Sequence, residues 1–162
     1  MHCTANTQIA TSLPIWKPNT GVKCKMTTAY TLDAWAVLAL LQKEEPAASR
    51  VRALLEQARR GDANLSMSIV NLGEVYYRVG KVKGEAEADT TLAQLRQLAI
   101  TVASATDAIV LAAATLKMRH PISYADAFAV ATAASAKAIL VTGDPELGAL
   151  AASHRIEKLS RA

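Results

Sequence analysis

The chain has 162 residues, 51% of them hydrophobic, and its 18 basic and 14 acidic residues give a formal net charge of +4. This length and hydrophobic content suit a single globular domain. Three lysines and both cysteines lie in residues 1–25, which contain no acid, so the rest of the chain has 18 − 3 = 15 bases against 14 acids. The cysteine-free remainder excludes a disulfide framework, and its net charge of +1 gives no strong signal for a nucleic-acid partner.

Residues 1–25 differ from the rest of the chain. They show no sustained periodicity and no apolar run of signal-peptide length, so they do not predict a secretory signal. We expect them to be a disordered arm or a translated upstream stretch, and we expect residues 26–162 to form the domain. No window reaches the roughly 18 consecutive apolar residues of a membrane span. We therefore expect a cytosolic protein without a membrane partner.

From residue 28 onward, predicted strands alternate with predicted helices. The first half predicts a strand over 28–32, helices over 33–41 and from Pro46 to Gly61, a strand over 65–70, and helices to Gly80 and over 83–98. The second half predicts strands over 100–102, 138–142 and 156–159, with helices over 106–120, 123–135 and 146–152. Short connections between alternating strands and helices predict an α/β fold with a mainly parallel sheet.

Four acids stand out from the other ten. They are flanked by apolar or small residues, and no basic residue lies within three positions of any of them: Asp33, Glu74, Asp126 and Asp144. Ligands of parallel sheets collect beyond the carboxyl ends of the strands. The order of the predicted elements brings these acids toward that edge, so they are candidates for one shared site.

Each of the four acids also has a purely structural explanation. Asp33 and Asp126 could cap helices or lie in their first turns, and Asp144 could cap the short helix that follows it. Glu74 could form an ion pair with Arg78, one turn further along the same helix. A shared cavity remains the stronger prediction, because chance would otherwise have to gather all four side chains at one place.

Carboxylates that lie close together disfavour each other's ionised form unless a cation lies between them. Oxygen ligands suit Mg²⁺ or Mn²⁺, whereas residues 26–162 contain no cysteine and only His120 and His154 as possible zinc ligands. A metal-activated water attacking a phosphodiester fits such a site, with one carboxylate orienting or deprotonating the water. Covalent acyl chemistry is disfavoured, and no glycine-rich phosphate-binding motif is present.

From about Thr28 to Leu159 the sequence resembles the PIN-domain nucleases, and among them the VapC-like toxins of bacterial type II toxin–antitoxin modules. Four segments in matching order and spacing carry this resemblance. They are Asp33 with its hydrophobic helix, Ser68 followed by Glu74-Val75-Tyr76-Tyr77, Ser123-Tyr124-Ala125-Asp126-Ala127, and Leu140-Val141-Thr142-Gly143-Asp144-Pro145-Glu146-Leu147.

The resemblance implies a PIN-like three-layer fold, with a central, mainly parallel sheet flanked by helices. It implies an endoribonuclease toxin that depends on Mg²⁺ or Mn²⁺, cleaves cellular RNA and inhibits translation and growth. The acids Asp33, Glu74, Asp126 and Asp144 would be its catalytic and metal-site residues, and Thr142 would be a hydroxyl near the metal. It further implies a cognate antitoxin that obstructs the acidic cleft, and a homodimer.

Bases near the acids are the predicted contacts for RNA. Arg78, Lys81 and Lys83 follow Glu74 within ten residues, although a solvated helix end would explain them as well. The next candidates for RNA contacts are Arg50, Arg52, Arg59 and Arg60. Apolar side chains on the early helices, including Trp35 and Leu38, are candidates for antitoxin contacts, with core packing as the alternative.

Two other functions stay open at this point. One is an RNA-maturation nuclease of the same fold without a toxin role. The other is a non-catalytic signalling or binding domain with an acidic pocket, similar to a phospho-acceptor receiver. A receiver would need a lysine shortly after the last core strand, and the next base after Val141 is Arg155, which disfavours this alternative.

Overall fold

The computed structural model describes residues 27–160, and the arm predicted for residues 1–25 lies outside this range. Within it, five parallel strands form one sheet with the order β3-β2-β1-β4-β5. The predicted α/β class with a central parallel sheet is confirmed. The strands are β1 (Thr28–Leu32), β2 (Ala63–Ser68), β3 (Thr101–Ala103), β4 (Ile139–Thr142) and β5 (Ile156–Lys158).

Helices follow the strands in the predicted order. None of those between residues 27 and 160 is both long and apolar enough to cross a membrane. They are α1 (Ala34–Gln42), α2 (Ala47–Arg59), α3 (Ile69–Lys83), α4 (Glu85–Leu95), α5 (Asp107–Arg119), α6 (Tyr124–Ser135) and α7 (Pro145–Gly148), with a 3-10 turn over Ala149–Ala152.

The sheet separates two hydrophobic clusters. Successive side chains of a strand point to opposite faces, and on β4 Val141 packs with α1, α2 and α3 whereas Leu140 packs with α5 and α6. Fully buried side chains such as Leu54 and Val130 fill the two layers. The result is three layers, with helices on both faces of the sheet.

The boundary between β2 and α3 differs from the prediction, which continued the strand to residue 70. The strand ends at Ser68, whose side-chain oxygen accepts a 3.2 Å hydrogen bond from the amide of Val70 and caps α3. An apolar run with an internal serine is compatible with a continued strand or with a helix that the serine caps. Here residues 69 and 70 form the first residues of the helix. At its other end α3 continues past the predicted stop at Gly80 and ends before Gly84, whose φ of 89° favours glycine.

The strand order places the ends of β1 and β4 side by side. Leu32 pairs with Val141, and the amide of Asp33 donates a 3.3 Å hydrogen bond to the Val141 carbonyl. The residues that leave the two strands therefore emerge at the same edge of the sheet. This is the edge at which parallel sheets bind ligands.

Candidate carboxylate site

Asp33 is the most deeply buried of the four candidate acids, with 1% of its surface exposed. Its Oδ1 atom accepts a 2.7 Å hydrogen bond from the amide of Ala36 and caps α1, and its Oδ2 atom accepts a 2.5 Å hydrogen bond from Thr142 Oγ1. Burial raises the pKa of Asp33 to about 7, the two hydrogen bonds oppose that rise, and the charges of Asp126 and Asp144 add to it. The fold thus holds a carboxyl group where its ionised form is disfavoured.

Asp126 lies in the first turn of α6, where Ser123 is the capping residue. The Asp126 amide donates a 3.0 Å hydrogen bond to Ser123 Oγ, and that hydroxyl donates to Asp126 Oδ2 at 2.6 Å. Burial raises the pKa of Asp126, the hydrogen bond from Ser123 lowers it, Asp144 raises it and Arg78 lowers it. Asp126 therefore interacts electrostatically with both aspartates of the β1 and β4 ends.

Asp144 caps α7 through a 2.7 Å hydrogen bond from the amide of Glu146 to its Oδ1 atom. Its own amide donates a 2.9 Å hydrogen bond to Thr142 Oγ1. The Thr142 hydroxyl thus donates to Asp33 and accepts from Asp144. One fully buried threonine joins the segments that carry two of the candidate acids.

Glu74 lies in the middle of α3 with 15% of its side chain exposed, and its Oε1 atom accepts a 2.9 Å hydrogen bond from Arg78 Nε. The ion pair offered as its structural explanation is formed. Glu74 nevertheless lines the same groove as Asp126 and Asp144. The structural explanation therefore holds for each acid, and three of the acids still share one groove, whereas the buried Asp33 does not line it.

The groove beside these acids has a volume of about 770 Å³ and runs between α1 and α3. Trp35 and Leu38 contribute to its α1 wall, and Arg78, Lys81 and Lys83 contribute to its α3 wall. The three bases predicted to contact RNA thus lie along the same groove as Glu74, Asp126 and Asp144. Its walls combine an apolar side and a basic side with an acidic end.

The second set of predicted bases lies elsewhere. Arg50 forms a two-point ion pair with Glu157, with hydrogen bonds of 2.6 and 3.0 Å. The other three are engaged by acids of α2 or its flanks and do not line the groove: Arg52 by Glu45, Arg59 by Glu56, and Arg60 by Asp62 and Glu56. The structure separates this set from the carboxylate site.

The donor types of the site, carboxylates and a hydroxyl, are those that a hard divalent cation prefers, but the arrangement of the described side chains does not yet form a metal site. Between residues 27 and 160, no three side chains from Asp, Glu, His and Cys stand in an arrangement that could hold a metal ion. Glu74 instead binds Arg78, and both oxygens of Asp33 accept hydrogen bonds from the protein. Yet the groups that converge are carboxylates and a hydroxyl, which are ligands for Mg²⁺ or Mn²⁺, and their mutual repulsion favours a cation.

Sequence reasoning missed Asn71, which is fully buried one turn before Glu74. Its Nδ2 atom donates a 3.1 Å hydrogen bond to the carbonyl of Ala125, the residue before Asp126. Its Oδ1 atom is buried and has no hydrogen-bond partner in the described part of the chain. Asn71 therefore ties α3 to the start of α6, and the available signal was a lone amide within an apolar stretch.

Solved structures with the same architecture include several toxin–antitoxin complexes. A chain of VapBC2 from Rickettsia felis, solved bound to a DNA fragment from its promoter, matches with a TM-score of 0.64 and 16% identity over 82% of this chain and 100% of that one. A chain of VapBC-1 from nontypeable Haemophilus influenzae matches with a TM-score of 0.61 and 22% identity over 81% and 98%. These likenesses establish the fold.

A third solved structure is the VapC20 toxin of Mycobacterium tuberculosis, which is described as cleaving the sarcin–ricin loop. It matches with a TM-score of 0.61 and 17% identity over 77% of this chain and 95% of that one. A comparison with curated protein sequences gives no significant match. The sequence profile of the PIN domain matches residues 30–153, a span that contains all four candidate acids. The chain belongs to the PIN domain family.

Proposed function

We propose that the protein is a metal-dependent endoribonuclease that acts as the toxin of a type II toxin–antitoxin module. The observation that carries the proposal is the convergence of three aspartates from distant parts of the chain. Asp33 follows β1, Asp126 opens α6 and Asp144 follows β4. Thr142 binds both Asp33 and the amide of Asp144, and Asp126 lines the same groove as Asp144. Membership of the PIN domain family and the likeness to VapBC chains support the same function.

In this proposal four acids would hold Mg²⁺ or Mn²⁺: Asp33, Glu74, Asp126 and Asp144. When bound, the ion lowers the pKa of a water molecule and neutralises charge on the phosphoryl oxygens. Thr142 fixes the Asp33 carboxylate and the Asp144 backbone. Arg78 neutralises Glu74 and also lowers the pKa of Asp126, so it limits the repulsion among the acids.

RNA is the proposed substrate because a basic wall borders the acidic end of the groove. Arg78, Lys81 and Lys83 contribute positive charge along α3, and such charge attracts the phosphate backbone without reading sequence. The chain has one phenylalanine, two tryptophans and four tyrosines, too few for an extended platform of stacked bases. Substrate choice would then rest on RNA shape and a few contacts at the groove.

A cognate antitoxin is the proposed protein partner, and the groove is its proposed binding site. Trp35 and Leu38 contribute an apolar wall that continues to the acids. An antitoxin segment with apolar side chains and a terminal basic residue would pack against this wall, and its basic residue would neutralise the carboxylates. It would exclude RNA by occupying the same space. The likeness to VapBC toxin–antitoxin chains supports an antitoxin as the partner.

We also propose a homodimer that forms through the outer face of α5. Leu111 and Met118 lie two turns apart on this helix and are 68% and 80% exposed. Asp107 lies in its first turn and Arg119 in its last. Two antiparallel copies would pair these opposite charges at both ends and bury the apolar side chains between them, as a twofold axis requires.

Cleavage of total RNA tests the proposed function. Wild-type protein should cleave in Mg²⁺ or Mn²⁺, lose activity in EDTA and regain it when the metal is restored. Asp126→Asn should keep the fold, as judged by circular dichroism, and lose cleavage. Retained cleavage in that variant would remove the central claim. Growth arrest on expression, relieved by Asp126→Asn, distinguishes a toxin from an RNA-maturation nuclease of the same fold.

A further inference from the structure

Gly143, in the connection from β4 to α7, is the glycine of the described chain at which an added side chain would meet the most severe clash. The clash is with the indole of Trp35. A Cβ atom placed on Gly143 would lie 2.2 Å from Cη2 and 2.3 Å from Cζ2 and Cζ3 of the indole, whereas real Cβ atoms essentially never come closer than 3.0 Å. At Gly80 and Gly148 the nearest atoms would be 3.6 and 3.4 Å away. The six-membered ring of Trp35 therefore lies directly against the Gly143 backbone.

This contact joins the two segments that carry Asp33 and Asp144. Trp35 lies two residues after Asp33, and Gly143 directly precedes Asp144. The Thr142–Asp33 hydrogen bond already connects the same segments on the polar side. The indole adds an apolar connection, because Trp35 also packs against the cluster formed with α1 and α2 and lines the groove.

We propose that the Trp35 indole and Gly143 form a clasp that positions Asp144 relative to Asp33. Gly143 is required because any side chain there must displace either the indole or the 142–144 backbone. If the backbone moves, the amide and carboxylate of Asp144 move with respect to the end of β1; if the indole moves, the apolar connection between the two segments is lost. Trp35 is thus a positioning residue for the carboxylate site, and the catalytic consequence of the clasp rests on the proposed nuclease function.

The clasp is tested by a matched pair of substitutions next to candidate acids. Gly143→Ala adds a methyl group where the indole stands. Gly73→Ala, beside Glu74, adds the same methyl group where no atom lies within 4 Å. The sequence contains two tryptophans, Trp16 and Trp35, and four tyrosines. A Trp16→Phe background therefore makes Trp35 the single tryptophan in both variants, and excitation at the red edge of the absorption band selects it over the tyrosines.

Two measurements need neither metal nor RNA. In Gly143→Ala the Trp35 emission should shift to longer wavelength with stronger acrylamide quenching, and amide hydrogen exchange should accelerate over residues 142–148 but not over α2. Gly73→Ala should match the parent protein in both.

In a Trp35→Ala background, Gly143→Ala should cause no further acceleration, because the indole that it displaces is absent. Should Gly143→Ala not fold, Trp35→Ala and its partial rescue by Trp35→Phe provide the same exchange test.

The catalytic consequence is read separately. Displacement of a positioned group by about 1 Å can cost on the order of 100-fold in rate, so kcat for RNA cleavage should fall by about that factor in Gly143→Ala. KM should change little, because the bases of α3 are untouched. Gly143→Ala that matches Gly73→Ala in fluorescence and exchange, or that retains full kcat, overturns the clasp. A wild-type protein without ribonuclease activity overturns the proposed function instead, and fluorescence and exchange still decide the clasp.

Discussion

The hydroxyl of Thr142 donates a 2.5 Å hydrogen bond to Asp33 across 109 positions of sequence. The same oxygen accepts the amide of Asp144 at 2.9 Å. One side chain therefore connects the ends of β1 and β4 and stabilises the ionised form of a buried carboxyl. Removing this side chain therefore leaves two polar groups without their partner.

Thr142→Val should weaken both the fold and the site. It retains the shape of threonine but leaves Asp33 Oδ2 and the Asp144 amide without their partner, which costs about 1–3 kcal/mol for a buried polar group. The pKa of Asp33 should rise further, since the lost bond lowers it. Urea denaturation measures the loss, and Thr142→Ser, which keeps the hydroxyl, should recover most of it. Equal stability of the valine and serine variants would contradict the role assigned to the hydroxyl.

The stability of the metal-free protein should depend on pH through Asp33. Its pKa is 3.8 when unperturbed and about 7 in the folded protein, so between these values the folded state holds a proton that the unfolded state has released. The free energy of unfolding should therefore be highest below pH 4 with respect to this group and fall as pH rises to about 7. Each pKa unit is worth about 1.4 kcal/mol, which makes the total decline several kcal/mol.

Asp33→Asn isolates this contribution. The amide keeps a capping oxygen for the Ala36 amide but does not titrate, so the decline between pH 4 and 7 should flatten. Glu87→Gln, an exposed acid of α4, provides the control and should leave the slope unchanged. Denaturant titrations at half-unit pH intervals in EDTA measure it. A slope that survives Asp33→Asn would assign the pH dependence to other groups.

Asn71 should affect both stability and cleavage. Asn71→Leu keeps the branched shape of the side chain, with bulkier methyl groups in place of the amide, but leaves the Ala125 carbonyl without its donor, at a cost of about 1–3 kcal/mol. Because Ala125 precedes Asp126, the start of α6 should shift and RNA cleavage should fall by more than the change in folded fraction. Comparing kcat with the folded fraction, at a temperature where both the wild type and Asn71→Leu are folded, separates the loss of stability from the loss of catalysis. A loss explained by unfolding alone would leave Asn71 a purely structural residue.

The sheet and the position of the site follow from local patterns in the sequence. Alternating strands and helices predict a parallel sheet, and the residues after β1 and β4 are polar where each strand ends. Asp33 and Asp144 form the caps given as their structural explanation, and Thr142 also connects them. The sequence alone could not show that one aspartate both caps a helix and lies near the other, because a cap depends on one turn of helix whereas the proximity depends on the strand order.

The contacts that hold the site together are long-range and leave no local signature. Asn71 reaches Ala125 across 54 positions, and Trp35 meets Gly143 only because β1 and β4 are neighbours. A glycine before Asp144 suggests a turn when the sequence is taken alone, whereas the structure shows that the approach of the indole requires it. The error at residues 69 and 70 has a local cause, since an apolar run with an internal serine suits a strand or a capped helix.

The α5 face should control the oligomeric state. Met118→Asp places a charge where two copies would pack, and it should convert a dimer to a monomer in sedimentation velocity. Asp107→Arg should weaken the dimer through repulsion with Arg119 of the partner subunit, and the double variant Asp107→Arg/Arg119→Asp should restore it. Lys117 is excluded from this exchange because its Nζ atom binds the Ile122 carbonyl at 2.6 Å. A wild-type protein that sediments as a monomer would contradict the proposed face.

The basic wall of α3 should determine the salt dependence of RNA binding. Each phosphate that a protein neutralises on a single strand contributes about −0.7 to the slope of log K against log salt concentration. Lys83→Ala should therefore weaken binding and make the slope shallower by about that amount, and Lys81→Ala should do the same while also removing the cation that lies 5.8 Å from the Tyr77 ring centroid. Binding is measured by fluorescence anisotropy in the Asp126→Asn background, so that the RNA stays intact.

Arg52→Ala supplies the matched control, because Arg52 is an exposed base that pairs with Glu45 and lies outside the groove. It removes the same formal charge but should leave the slope within the error of the parent protein. If Arg52→Ala and Lys83→Ala reduce the slope equally, RNA binding depends on the net charge of the protein and not on the bases of the groove. A reduction confined to the α3 lysines would place the phosphate backbone along the wall that leads to Asp126 and Asp144.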